Sequence, residues 1–317
     1  MTSPRFVQLH LEDSAALRLE LAHGLLGGPP SVSPKFLYDA LGSRLFDAIT
    51  ELPEYYPTRV ERSIFSRHAS TMAAIAGRGR TLIDLGAGNC KKAARLFDVL
   101  APLRYVAVDI SVDYLRESLA GLQRQYPGVE MVGVGADFST ALTLPPEAGR
   151  DERLVFYPGS SIGNFTPRDA LRFLGQVRAV GGAGGALLIG VDLVKPKRIL
   201  ELAYDDPLQV TAAFNLNLLR RLNSLLGCDA CIEDFEHVAL FNESESRIEM
   251  HLQARRALTL HWPGSERALA AGERIHTENS YKYTAEGFDR LLRDAGYTRT
   301  THWTDERQWF AVFLAIA

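Results

Sequence analysis

From about Gly79 onward, short aliphatic runs alternate with segments of helical periodicity, and this rhythm limits the possible folds more than any other feature of the chain. The runs are TLIDLGAG, YVAVDIS, MVGVGADF, RLVFYPGSS and GALLIGVDLV; between them lie KKAARLFDVL, VDYLRESLAGLQRQY and PRDALRFLGQVRAV. Strands that are apolar throughout bury both faces, and helices between them make consecutive strands parallel. In the second helix, Leu115, Leu119, Leu122 and Tyr126 recur at helical spacing as one buried stripe. The third opens with Thr166 as N-cap, Pro167 at the first helical position and Asp169 in the first turn. The expected fold is α/β, a doubly wound Rossmann-like sheet.

The rhythm stops after Val194. KPKR leads into one long helical pattern, ILELAYDDPLQVTAAFNLNLLRRLNSLL, then two strand-like runs, SRIEMHLQAR and RALTLHW, and then IHTENSYKY. It resumes with AEGFDRLLRDAG, and TRTTHW and WFAVFLAIA read as closing strands. Ahead of the core a helix is expected around Lys35–Leu52, and Thr58-Arg-Val-Glu61 reads as a capping box that starts another. The expected division is a core of residues 61–195 and 286–317 with a smaller α+β substrate-binding domain of residues 1–60 and 196–285. The second domain is expected over the C-terminal strand ends, where doubly wound folds bind ligands.

Composition narrows the class. With 317 residues, 46% hydrophobic and 23% charged, this is an ordinary globular composition. A net charge of −3 gives no electrostatic footprint for nucleic acid or an anionic membrane. MTSPRFVQLHLED carries an early acid and no apolar core, unlike a signal peptide, and no apolar run approaches the roughly 18 residues of a bilayer span. The expectation is a cytoplasmic monomer with a small-molecule substrate. Cys228 and Cys231 form C-D-A-C, but a zinc site needs about four ligands and no second pair accompanies it. Reduced structural thiols and no metal are expected.

LIDLGAGNCKK has the form strand, acid, Gly-x-Gly turn, helix, which lets a ligand approach the backbone closely. A dinucleotide and S-adenosylmethionine compete for such a turn. The dinucleotide fingerprint wants a third glycine where this chain has Lys91, and it has no particular use for Asp84. In an adenosylmethionine site that acid can organise the methionine ammonium, directly or through water. Asp109 ends the next strand, where a carboxylate can accept ribose hydroxyls. Asp137 and Phe138 end the third, where an acid and a ring suit adenine. The ordered set Asp84, Gly86, Gly88, Asp109, Asp137 and Phe138 favours adenosylmethionine.

PGSSIGNF follows the fourth strand, and its Asn164 offers both a donor and an acceptor. Before the core, Tyr38, Phe46, Tyr55 and Tyr56 sit among acids and prolines, as core or as pocket. In TENSYKY, Glu278 and Ser280 share a face if the segment is a strand. The bland alternative is an exposed Glu278 paired with Lys282 or Arg274.

Taken in order, FLYDALGSRLFDAITELPEYYPTR, LGAGNCKK, GSSIGNF, AYDD, FEHVALFN, SRIEM and TENSYKY resemble the histidine-specific Nα-methyltransferases of ergothioneine biosynthesis. The similarity runs from about residue 33 to the C-terminus. It implies trimethylation of L-histidine to hercynine with S-adenosylmethionine as methyl donor. Carried over by position, it implies cofactor contacts at Gly86, Lys92, Asp109, Asp137 and Phe138. Tyr38 and Phe46 would lie near the methyl-accepting amine, with Tyr38 stabilising its neutral form. Asn164 and Tyr204 would hold the amine and carboxylate, so Tyr38 and Asn164 stand nearest the chemistry. Tyr55, Met250, Glu278 and Ser280 would surround the imidazole, the carboxylate and hydroxyl taking its two nitrogens. The chain departs from the family's Ser/Thr-rich glycine turn at Ala87, Asn89 and Cys90, which suggests a different branch. The rivals are a methyltransferase acting on another amine and an NAD-dependent oxidoreductase.

Overall fold

The computed structural model describes residues 3–9, 14–138, 141–149 and 152–317. In chain order its strands are β1 (Arg5–Gln8), β2 (Thr81–Leu85), β3 (Arg104–Asp109), β4 (Glu130–Gly135), β5 (Arg153–Tyr157), β6 (Ala186–Asp192), β7 (Phe235–Asn242), β8 (Arg247–Ala254), β9 (Leu258–Trp262), β10 (Ser265–Leu269), β11 (Arg274–Tyr281), β12 (Arg299–Thr304) and β13 (Phe310–Ile316). The chain divides into two units: Met1–Leu11, Pro57–Val194 and Lys282–Ala317 in unit 1, and Glu12–Tyr56 and Lys195–Tyr281 in unit 2.

Unit 1 holds the doubly wound sheet, in the order β1-β4-β3-β2-β5-β6-β13-β12. The strands β1 to β6 are parallel, and β13 runs antiparallel between β6 and β12. Every residue of β2 and of β6 is buried, as the uninterrupted apolar runs require of strands covered on both faces. Leu115, Leu119 and Leu122 are buried on the Val112–Gln125 helix, and Tyr126 packs edge-on against Phe97 at 4.9 Å. Thr166 caps the Pro167–Gly181 helix by accepting from the Asp169 amide. The run KKAARLFDVL, which looks like one helix, is two single turns, Lys91–Ala94 and Phe97–Leu100.

Two expectations about the N-terminal segment need correction. Residues 5–8 do not belong with the second domain, because β1 adds a parallel strand to β4, Phe6 opposite Gly133. Gly133 is the physical reason: a β-carbon there would overlap the Phe6 ring, which also has the Arg116 guanidinium over it, 4.4 Å from its centroid. Four residues are too few for β1 to announce itself by periodicity. The capping box also fails to form. The helix starts two residues before Thr58, at Tyr56, and the Glu61 side chain is engaged elsewhere, as described below.

Unit 2 contains the helices Ser14–Leu26, Ala40–Glu51, Lys197–Leu202 and Val210–Leu226, an antiparallel sheet in the order β11-β8-β7, and the β9–β10 hairpin. Asp39 caps the Ala40–Glu51 helix, its Oδ1 accepting from the Gly42 amide at 2.7 Å and from Asn217 Nδ2 at 2.9 Å. The long helical pattern after Lys197 is broken at Asp205-Asp206-Pro207. Pro207 disfavours helix at the residue before it, and the Asp206 carboxylate accepts from the amides of Val210 and Thr211 at 3.0 and 2.8 Å, opening a new helix. Among the described residues no helix is long and apolar enough to cross a membrane.

Candidate functional site

In unit 1 the residues proposed for a cofactor converge on the C-terminal ends of β2, β3 and β4. The amides of Gly86 and Ala87 both donate to the Val108 carbonyl, at 2.9 and 3.1 Å, which curls the turn after β2 over the end of β3. Gly86 and Gly88 have φ of +71° and +50°, the left-handed region that side chains disfavour. The turn is fastened by Asp109, whose Oδ2 accepts from the Gly88 amide and Oδ1 from the Ser111 amide, each at 2.8 Å. A carboxylate has about four lone-pair sites, so Asp109 keeps acceptor capacity for a ribose hydroxyl. Burial raises its pKa, and the amides offset this only partly. Phe138 is half-buried and stands beside the turn, its Cζ 3.8 Å from where a β-carbon of Gly86 would lie; Tyr157 and Phe173 hold the ring from behind at 6.0 and 6.1 Å. Asp137 precedes it, also half-buried.

Asp84 behaves differently from the simplest expectation. It is 1% exposed, so it presents no surface for direct contact with a bound molecule. Its Oδ2 accepts from the Tyr105 hydroxyl at 2.7 Å, while its Oδ1 is buried without a hydrogen-bond partner. Burial pushes the carboxyl up to about 7. An orphaned buried oxygen under the glycine turn suits a cationic group above it, through the field it creates rather than by touch.

Lys92 is ion-paired with Glu61, Nζ to Oε2 at 2.9 Å, and the other oxygen of Glu61 accepts from the Gly159 amide at 2.7 Å. Gly159 lies in the loop after β5, and Ser160 Oγ accepts from the Asp192 amide at 2.8 Å, which ties that loop to the end of β6. Asn164 ends the short 3-10 turn Ser161–Asn164 and is half-buried.

In unit 2 the seven remaining residues form one continuous set. Tyr38 meets Phe46 edge-on at 5.7 Å, Phe46 meets Tyr55 at 6.1 Å, and Tyr55 meets Tyr204 at 6.3 Å. The Tyr204 hydroxyl donates to Ser280 Oγ at 2.7 Å. Phe214 completes the aromatic group, 5.5 Å from Tyr38 and 6.0 Å from Phe46. It lies on the Val210–Leu226 helix among core residues, and nothing in its spacing sets it apart from them. Tyr38 and Phe46 are half-buried, whereas Tyr55, Tyr204, Met250, Glu278 and Ser280 are buried.

The orientation of Glu278 and Ser280 depends on a β-bulge. Ladder partners run Ile275 to Leu252 and His276 to His251, then skip Thr277, then Glu278 to Met250, Asn279 to Glu249 and Ser280 to Ile248. One extra residue in β11 therefore places Ile275, Glu278 and Ser280 on the face of Leu252, Met250 and Ile248. His276 and Asn279, three apart, share the other face: His276 Nε2 and Asn279 Oδ1 are 2.9 Å apart, which a regular strand does not permit. Without the bulge Glu278 would stand opposite Glu249, two like charges in direct register. Thr277 is fully buried and its hydroxyl donates to the Met250 carbonyl at 3.0 Å. Glu278 is not the exposed strand residue of the bland reading. Lys282 Nζ bonds Asp192 at 2.8 Å, Arg274 Nε bonds Gln253 at 2.8 Å, and Glu278 itself is 8% exposed.

The cysteines are all free thiols. Cys90 is buried beneath the glycine turn and burial pushes its thiol up to about 12; Cys228 is buried and Cys231 exposed.

Residues 17–317 match the protein family described as histidine-specific methyltransferase, SAM-dependent. A histidine N-alpha-methyltransferase of Mycolicibacterium smegmatis is 41% identical over 312 residues, covering 96% of each chain. Its namesake in Mycobacterium tuberculosis is 41% identical over 315 residues, covering 96% of this chain and 97% of that one. Ergothioneine biosynthesis protein 1 of Neurospora crassa is 33% identical over 301 residues, which span 91% of this chain and 33% of that longer protein.

Proposed function

The chain belongs to the histidine-specific, S-adenosylmethionine-dependent methyltransferase family, and on that premise we propose that unit 1 binds the methyl donor while unit 2 reads the amino acid. The activity is transfer of methyl groups from S-adenosylmethionine to the α-nitrogen of L-histidine, giving the trimethylated product hercynine in ergothioneine biosynthesis. The donor supplies an electrophilic methyl on a sulfonium. What the protein adds is alignment of a neutral amine with that methyl, since positioning lowers the barrier of an in-line displacement.

The residues of unit 1 fit the donor. Asp109 offers an acceptor for a ribose hydroxyl, Phe138 and Asp137 a ring face and an acceptor for adenine, and the Gly86–Gly88 turn a close backbone approach. Asn164, on the loop tied to β6, is assigned to the substrate's amine and carboxylate.

In unit 2 a single arrangement carries the reading. Glu278 and Ser280 lie on the Met250 face of β11, with the Tyr204 hydroxyl bonded to Ser280. A carboxylate and a hydroxyl two residues apart on one face match the two nitrogens of an imidazole. A buried carboxylate also disfavours side chains that bring it no donor. The rings of Tyr38, Phe46 and Phe214 suit the amine end, where each methylation step moves toward a quaternary ammonium that aromatic faces attract. The Tyr38 hydroxyl is assigned to the neutral amine before each attack.

Mass spectrometry of histidine incubated with the enzyme and S-adenosylmethionine tests this, with NMR locating the methyl groups. The expected result is stepwise addition up to the trimethyl species, every methyl on the α-nitrogen. Methylation of a ring nitrogen would overturn the assignment of Glu278 and Ser280 to the imidazole.

A further inference from the structure

We infer that Glu61 is a positioning residue for the amino-acid tail of the methyl donor, acting through Lys92. The inference rests on the proposal that unit 1 binds that donor. Glu61 belongs to the Tyr56–Ala76 helix, outside every segment that the glycine turn or the strand ends mark as functional. Its side chain is 2% exposed, yet it carries a carboxylate into the sheet. A carboxylate is buried at this depth only when its oxygens are paired. Here one oxygen accepts from Lys92 Nζ at 2.9 Å and the other from the Gly159 amide at 2.7 Å.

The surrounding backbone is shaped for this carboxylate. Gly190 in β6 has no β-carbon, and one placed there would overlap Glu61 Oε1. Gly159, at φ +78°, likewise leaves room for Lys92: a β-carbon would lie 2.7 Å from Nζ. Two glycines from two separate segments thus clear the space for one ion pair. Glu61 joins the turn that follows β2 to the loop that follows β5. In unit 1 these are the segments proposed for the donor and for the substrate's polar end.

The pair also lines a concavity of about 250 Å³, together with Thr58, Arg62, Ser66 and Arg95. Glu61 is the one acid in that lining against Lys92, Arg62 and Arg95, so the surroundings of the Lys92 ammonium are net positive. Lys92 is 35% exposed in its side chain, and an ammonium has three donors, so one bond to Glu61 leaves others for a ligand. The anion of the donor is the carboxylate of its methionine part. Glu61 thus fixes where the Lys92 ammonium stands, and Lys92 meets the carboxylate.

Calorimetry with two ligands separates positioning from structural support. S-adenosylhomocysteine carries the amino-acid tail; 5′-methylthioadenosine has the same nucleoside and thioether without it. Lys92→Met should weaken S-adenosylhomocysteine by about tenfold or more and leave methylthioadenosine unchanged, the loss of a charge-assisted bond. Glu61→Gln, which keeps an acceptor for the Gly159 amide but removes the charge that holds Lys92, should reproduce that tail-selective loss. Glu61→Asp, with the carboxylate withdrawn by one methylene, should do so too and serves if the Gln variant does not fold. If Lys92→Met is selective and neither Glu61 variant is, the inference about Glu61 is wrong and the donor assignment stands. If Lys92→Met leaves both ligands unaffected, the assignment of Lys92 itself fails. Equal weakening of both ligands in the Glu61 variants would make Glu61 a structural residue only.

Discussion

Tyr204 donates its hydroxyl to Ser280 Oγ at 2.7 Å, joining the segment after the Lys197–Leu202 helix to the strand that carries Glu278. Both residues are buried, so the bond holds the Ser280 side chain in one rotamer. Tyr204→Phe and Ser280→Ala should each raise KM for histidine about 3- to 15-fold, the loss of one neutral hydrogen bond in a site of this kind. The double variant should be little worse than Ser280→Ala alone, because the Tyr204 hydroxyl, which the resemblance assigns to the amine and carboxylate, is bonded to Ser280 and acts through it. Steady-state kinetics on the four proteins checks this; additive losses would show that the two hydroxyls act separately.

Asp84 gives a pH signature. Its folded-state pKa of about 7 lies above the unfolded value of 3.8, so between these two pH values the folded state holds the extra proton. Stability from this group is therefore full below about pH 4 and falls as pH rises to about 7, with no further change above. Asp84→Asn removes that slope while keeping an acceptor for Tyr105. Melting temperatures of the ligand-free proteins should show Asp84→Asn gaining on the wild type from pH 5 to pH 8. Affinity for S-adenosylhomocysteine should move the other way, rising by up to about tenfold between pH 6 and pH 8 in the wild type as the carboxylate ionises, and staying flat in the variant. A variant that keeps the wild-type slope would place the titration elsewhere.

Asp206 supplies a stability prediction free of the chemistry. Burial acts against its ionised form, but the amides of Thr211 and Val210 overcome this and hold the carboxyl below its usual range. A depressed pKa contributes stability above the unfolded value of about 3.8 that is lost as pH falls through the folded one. Asp206→Ala should cost about 1–2 kcal/mol at pH 7, the loss of a helix cap. The cost should shrink as the solution is acidified below pH 4. Urea titrations at pH 7 and pH 3.5 test both halves.

The sheet was legible because its strands are buried on both faces, which leaves long aliphatic runs between helical stripes such as Leu115, Leu119 and Leu122. The short β1 was not, since its place depends on Gly133 across the sheet, a partner more than a hundred residues away. Thr58-x-x-Glu61 reads as a cap because local spacing cannot reveal that Glu61 has Lys92 and Gly159 to pair with. The one long helix after Lys197 hid a break, although Asp206 and Pro207 carried the signal. Among site residues, those at strand ends follow from the fold: Asp109, Asp137 and Phe138 could hardly lie elsewhere. The shared face of Glu278 and Ser280 was legible from their spacing. Which face they share was not, because the bulge at Thr277 is a matter of register with β8, and TENS alternates equally well in either phase.

Glu278 is assigned to read the imidazole. Glu278→Gln keeps the size of the side chain and one acceptor but loses the charge. Measuring kcat/KM of the wild type and of Glu278→Gln, each with histidine and with phenylalanine, tests this most directly, because phenylalanine has the same α-amino acid part and no ring nitrogen. The expected result is a fall of about 10- to 100-fold for histidine, the cost of a charge-assisted hydrogen bond, and a far smaller change for phenylalanine, with S-adenosylhomocysteine binding unaltered. An equal loss on both substrates would contradict it, and would make Glu278 a residue that supports the fold or the transfer step and does not read the side chain.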